Sequence, residues 1–305
     1  MKRKVIQIAD STQLVSLPRK WAIAHGVKKG DELDVQEEGD KITVRTSSLP
    51  QKEVREIDIS DLEPMVLRTI VALYKKGIDE IKISFNNPEL ISSVQKVIGK
   101  EAVGFEITDQ GEKYCTIKNV SGELEDFDAV LKRTFILLIS MSERVYEAVK
   151  SGSFDQLKNI AFLEEANNRF TTSCRRNLNK SGYKNHKVVG PIYYIVEELE
   201  NIADQYKYMC LHLYSFQDKK IKIKKELLSA FSRVDDLLKK YYDLFYNFDN
   251  KRVASIGKER KIIVDDLLKI MTKTKDSNEF LIIHYLMTIM HKTFCLVGPL
   301  QVMVL

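Results

Sequence analysis

Cysteine is scarce, with four residues in 305: Cys115, Cys174, Cys210 and Cys295. No two stand at CxxC or other metal-ligand spacing, so zinc modules and a disulfide framework are excluded. Free thiols suit a reducing cytosol. Nothing at the start has the charged, apolar and small-residue order of a secretory leader. Long apolar runs are also lacking. The richest stretch, 280–305, is interrupted by His284, His291, Lys292 and the Gly298-Pro299 pair, too polar for a comfortable span of about 20 residues. The expectation is a cytoplasmic protein with no membrane insertion. There is no GxGxxG, no phosphate loop, no HExxH and no nucleophile elbow, so the chain is expected not to be an enzyme. Excess charge of one sign is missing too. Forty-eight basic residues against 43 acidic ones leave +5, so nucleic-acid binding must come from a local patch.

Three compositional blocks follow one another. In residues 1–50, "KVIQIA" and "LVSLP" read as short strands, "PRKWAIAH" as a short helix with Pro18 at its first position and Gly26 past its end, and "VKKGDELDVQEEGDKITVRT" as strand, turn, strand. Gly30 supplies one turn, Gly39-Asp40 a hairpin tip. Trp21 is the expected core anchor. A unit of this size holds a poor core alone, so pairing of two chains is expected. After the polar "SSLPQKE", residues 51–121 alternate strands with helices, "REIDIS", "DLEPMVLRTIVALYKKG", "DEIKISF" and "NPELISSVQKVIG" with Asn87 as a cap, and close with a hairpin around "QGEK". From 122 onward helical periods dominate: 123–150, 155–179, 190–216, 222–248, 251–273 and 278–305. Short breaks make them antiparallel neighbours, in two sets of three at 122–217 and 218–305. Segment 155–170 aligns in rhythm with 250–265, which suggests a repeat.

In "YYIVEELENIADQYKYM", Ile195, Val196, Leu199, Ile202, Ala203 and Tyr206 form one apolar stripe. Glu200 and Asp204 flank it one turn apart, with Cβ atoms expected roughly 6 Å from each other. On the preceding helix Ile160, Leu163, Asn167 and Phe170 mark the inward face, Glu164 lies near its edge and Asn168 one turn later. Carboxylates this close repel unless a cation stands between them. Hard oxygen donors without Cys or His suit Mg²⁺, Mn²⁺ or Fe. Arg169, Arg175 and Arg176 could neutralise the acids instead.

"VEELENIADQYKYM" resembles the PhoU signature, whose glutamate and aspartate match Glu200 and Asp204, and "EEANNRF" is similar to that family's second acidic helix through Glu164 and Asn168. The resemblance covers roughly 122–305. It implies two three-helix bundles with a divalent metal on Glu164, Asn168, Glu200 and Asp204, and a phosphate transporter or signalling protein as partner. The second set departs from the pattern. Met290 and Phe294 stand near the acid positions, and Arg260 and Lys261 follow Glu259. His284, His291 and Cys295 could form a soft site, or the histidines could be core residues.

"TQLVSLPRKWAIAHGVKKGDELDVQEEGDKITV" resembles the SpoVT/AbrB swapped-hairpin family, which implies an intertwined dimer that binds DNA. Lys2, Arg3, Lys4, Arg19, Lys20, Lys28 and Lys29 are the expected DNA-binding residues, with Asp10 the only acid before residue 30. Leu14, Ala22 and Ile23 replace arginines familiar in that family. The order of the three blocks resembles archaeal phosphate-uptake-regulator-like proteins. The expected fold class is multidomain α+β: an AbrB-like swapped-hairpin unit, a small α/β module and a PhoU-like pair of three-helix bundles. The expected role is a homodimeric regulator of phosphate uptake; the alternative is an adaptor whose β unit only dimerises.

Overall fold

Period-two alternation carries the first block into strands. In a computed structural model, which describes residues 1–8, 11–38, 41–46, 52–122, 126–216 and 223–305, β1 (Val5–Ile8) pairs antiparallel with β2 (Thr12–Val15). The register sets Ile6 opposite Leu14, so Ile6, Ile8 and Leu14 share a face. Helix α1 (Arg19–Ala24) follows Pro18, which caps the helix rather than opening it. Gly26, at φ +65°, reverses the chain after it. Strands β3 (Leu33–Glu38) and β4 (Lys41–Thr46) make a second hairpin with Val35 opposite Val44 and Asp34 opposite Arg45. Leu33, Val35, Ile42 and Val44 line one face. The expected tip at Gly39-Asp40 and most of the linker fall outside the described residues. No described residue before 47 is buried. Trp21 is not a core anchor within one chain: it is half-buried and rests on the His25 ring, centroids 5.0 Å apart. Two separate two-stranded hairpins have no third layer to close on.

The second block forms one four-stranded sheet from β5 (Val54–Asp58), β6 (Glu80–Ser84), β7 (Phe105–Gln110) and β8 (Tyr114–Asn119), in the order β5-β6-β8-β7. Parallel β5 and β6 are joined through α2 (Val66–Lys76), and α3 (Leu90–Lys100) leads to β7. Ile70, Tyr74, Val94 and Val97 of the helices share a core with Ile81, Ile83, Cys115 and Ile117 of the strands. Asn87 accepts the Glu89 N–H at 3.0 Å, a turn just before the helix rather than its cap. Gly77 ends α2 at φ +103°.

Among the described residues, eight α-helices complete the chain: α4 (Phe127–Ser151), α5 (Leu157–Ala161), α6 (Leu163–Ser181), α7 (Val189–Tyr214), α8 (Lys225–Tyr246), α9 (Asn250–Lys273), α10 (Ser277–Cys295) and α11 (Val297–Val304). The helix expected at 155–179 is two, because a tight turn at Phe162 divides it. The last helix is interrupted at Leu296, since Pro299 has no N–H to give the Cys295 carbonyl. The two sets of helices share one hydrophobic core, from Phe135 and Leu138 through Ile195 and Leu199 to Leu237, Leu286 and Ile289. Each such side chain contributes about 1.5–3 kcal/mol on burial. Polar links also cross between the sets. Tyr206 donates to Asp235 at 2.7 Å, Lys292 meets Glu198 at 3.2 Å and Lys239 meets Glu143 at 2.8 Å. Residues Glu53–Leu305 are thus one compact unit, and Met1–Lys52 another.

The stretch Ser277–Val304 is more apolar than expected. The 28 residues are long enough to cross a membrane, and an 18-residue window within them has a mean hydropathy of 1.6, with 44 % of that window buried in the molecule. Ile282, Ile283, Leu286, Ile289 and Met290 are the buried apolar residues of α10, which packs against α7, α8 and α9.

Candidate nucleic-acid interface and the acidic helix edge

Seven basic side chains cluster in the first 29 residues. Lys2, Arg3 and Lys4 precede β1, Arg19 and Lys20 open α1, and Lys28 and Lys29 lead into the turn at Gly30. All seven are exposed, and none is in an ion pair among the described residues. The Lys28 N–H bonds the Asp31 carboxylate at 2.7 Å and pins this turn. Unpaired lysines and arginines in water keep their full charge for an external polyanion. Arginine adds a planar donor fork suited to guanine edges.

The acidic edge forms where α6 packs on α7. Every residue of the expected α7 stripe is completely buried, which orients Glu200 and Asp204 toward α6. Glu200 accepts the Thr171 hydroxyl at 3.0 Å and pairs with Arg175, a fully buried residue that also holds Glu197. One turn on, Lys207 Nζ lies 2.9 Å from Glu164 and 2.5 Å from Asp204. The Asn168 side chain donates to Glu164 at 2.5 Å. The four acid-edge residues therefore fall into two clusters, each built around a cation of this chain. Glu164 is not at the edge but buried, at 5 % exposure.

The charges answer to that burial. Burial pushes the Glu164 carboxyl above its ordinary range, and the Lys207 hydrogen bond and charge oppose this. Burial pulls Lys207 down, but its bonds to Asp204 and Glu164 together win, and it stays above the ordinary lysine value. Lys75 lies nearby; burial first, and then the Arg175 charge, push it down to about 8.

Arg176, adjacent to Arg175, turns the other way. Its guanidinium donates to the carbonyls of Tyr74 at 2.9 Å and Ile78 at 2.8 Å, and to Asp79 at 2.8 Å. It also stacks on the rings of Tyr74 and Phe105, 4.9 and 5.3 Å from their centroids. Lys180 joins Asp79 as well, and the other Asp79 oxygen accepts the Glu53 N–H at 3.1 Å. Asp79 is buried, which raises its carboxyl, yet Lys180, the Glu53 N–H and Arg176 bring it below the usual range. Helix α6 thus grips the acidic edge with one arginine and the sheet module with the next.

Among the described residues, no group of three or more His, Cys, Asp or Glu side chains is placed to hold a metal. Where a bound cation would sit, Lys207 and Arg175 already supply positive charge, so this donor set does not fit a resident divalent ion. In the second set Glu259 bonds Lys240 at 3.1 Å and approaches Arg233 at 3.7 Å. Met290 is buried, and Phe294 lies under Arg260, 4.9 Å from ring to guanidinium carbon. His284 and His291 are exposed rather than core residues. They border an open groove of about 410 Å³ with Leu268, Phe280 and Met287. Sequence reasoning missed Lys207, whose signal was its place three residues after Asp204. It also missed Asp79, whose charged partners Arg176 and Lys180 lie 97 and 101 residues away.

Residues 6–55 match the family model described as antidote-toxin recognition MazE, bacterial antitoxin. The match covers the β unit and the first two residues of β5. No curated protein and no solved structure matches the chain.

Proposed function

We propose that the chain is a homodimeric DNA-binding transcriptional regulator, with the β unit as reader and the helices as sensor. The observation that carries this is the state of the β unit. It leaves apolar faces uncovered on both hairpins, with Ile6 at 56 %, Val35 at 65 % and Ile42 at 71 % exposure, next to seven basic residues with no ion pair among the described residues. A second copy covers such faces and doubles the basic patch. The match to MazE-type antitoxins, in a stretch resembling SpoVT/AbrB units, supports the same reading, since proteins of this kind dimerise and bind DNA.

The helical region is the sensor of phosphate status in this reading, after its resemblance to PhoU. The chain works in the cytoplasm and has no catalytic activity of its own. A partner such as a phosphate transporter or signalling protein biases the helices, and the Arg176–Asp79 contact carries the bias through the sheet module toward Glu53. DNA from the gene's own upstream region, titrated in a gel-shift assay at two salt concentrations, tests the proposal. Affinity is expected to fall steeply with salt, with a slope of about 0.9 per phosphate contacted, and Arg19→Ala/Lys20→Ala is expected to lower that slope. A flat salt response, or no shift, favours the second reading: an adaptor whose β unit only dimerises and whose exposed α9–α10 groove docks on the partner.

A further inference from the structure

Two carboxylates from different helices converge on one ammonium at the α6–α7 edge. Lys207 Nζ is 2.9 Å from Glu164 and 2.5 Å from Asp204. The lysine and both acids are largely shielded, with side-chain exposures of 22 % for Lys207, 6 % for Glu164 and 27 % for Asp204. An ammonium gathers oxygens with three N–H donors, and a divalent ion gathers them as ligands. Both cannot occupy one point, and the lysine is covalently tethered there. The Asn168 amide nitrogen donates to Glu164, and its side-chain oxygen has no hydrogen-bond partner among the described residues, so the same amide brings an unused oxygen to this cluster. Arg175 gives the neighbouring Glu200 cluster a second fixed cation.

We infer that Lys207 is a resident cation standing in for a divalent ion, so that the α6–α7 edge is held together without metal, and that removing its charge opens a divalent-cation site made of Glu164, Asp204 and the Asn168 side-chain oxygen. The inference does not depend on DNA binding; a protein that fails the gel-shift assay can still pass the test below, and the reverse also holds.

The test is thermal unfolding and elemental analysis of the full-length protein, in EDTA and in excess Mn²⁺. Wild type is expected to melt at the same temperature in both and to retain no Mn²⁺ after dialysis. Lys207→Met is expected to melt lower in EDTA. With Mn²⁺ at about 100 times its Kd, its midpoint should rise by roughly 5–10 °C, and it should carry close to one Mn²⁺ per chain. Lys207→Arg, which keeps the charge, is expected to match wild type in ignoring Mn²⁺. Lys207→Met/Glu164→Gln, which lacks one of the two carboxylates, is expected to lose the Mn²⁺ response. Stoichiometric Mn²⁺ on the dialysed wild type, or a wild-type midpoint that rises with Mn²⁺, overturns the inference. So does a soluble Lys207→Met that ignores Mn²⁺. If Lys207→Met does not fold, wild type and Lys207→Arg decide the matter by the same criteria.

Discussion

Val35 and Ile42 stand 65 and 71 % exposed in the first unit, while Ile195, Leu199 and Tyr206 are completely buried in the second. The residue types are similar; the number of neighbours is not. A two-stranded hairpin offers one apolar face and nothing to lay it on. A long amphipathic helix in an antiparallel set meets two or three others, so one chain can finish its own core. The contrast teaches that the second unit completes its own core within one chain, whereas the first leaves its apolar faces exposed, which the proposed reading assigns to a second copy. The two units should therefore respond differently to mutation and to protein concentration.

The largest expected effect falls on the self-sufficient unit. Arg176→Ala removes a guanidinium that is 1 % exposed and leaves Asp79 and two carbonyls without it. Breaking such a buried pair costs about 3–5 kcal/mol. Urea unfolding followed by helical signal should show that loss, with the dimer mass unchanged in light scattering. An unaltered midpoint would show that the module and the helices hold together without this arginine.

Ile6→Asp comes next and acts on the other side of the comparison. A carboxylate on the apolar face of β1 costs on the order of 1–3 kcal/mol in each copy if that face is covered by a partner. Light scattering should then report a monomer, while the unfolding midpoint of the helices moves by less than about 0.5 kcal/mol. A dimer that survives intact would place the contact between copies elsewhere.

Asp235→Asn is the smallest effect and carries a pH signature. Burial holds the Asp235 carboxyl well above its ordinary value of 3.8, against the opposing Tyr206 hydrogen bond. The folded chain thus binds this proton more tightly than the unfolded chain does. Its contribution to stability is complete below the unfolded value and is lost as pH rises toward the folded one. The asparagine variant is expected to melt higher than wild type near about pH 8, and the gap should close toward about pH 4. A constant gap across that range would mean that Asp235 does not titrate differently in the two states.

Much of the fold was legible from local pattern. The α7 stripe is buried residue for residue, and the hairpins and the alternating module form where the periods place them, while two of the six helical periods are divided, at Phe162 and at Leu296. What stayed hidden depends on neighbours distant in sequence. Trp21 looked like a core residue, but a single copy of the β unit has no core to receive it. Glu200 and Asp204 were legible as a pair of like charges in need of a cation. Which cation was not: spacing alone ranked Arg175 no higher than Arg169 or Arg176, and Lys207, three residues after Asp204, was overlooked. Arg176 leaves the acids for Asp79, a contact that exists only because α2 packs on α6.

Hydrophobic periodicity alone determined the elements, the faces they bury and the places where charge must be neutralised, since each follows from residues within a turn or two along the chain. Tertiary packing alone decided that the two helix sets share one core, that Lys207 and Arg175 are the neutralising cations, and that the sheet module is clamped to the same helix. Those outcomes turn on distances between segments far apart in the chain, and Coulomb and desolvation energies depend on distance and burial rather than on position in the sequence.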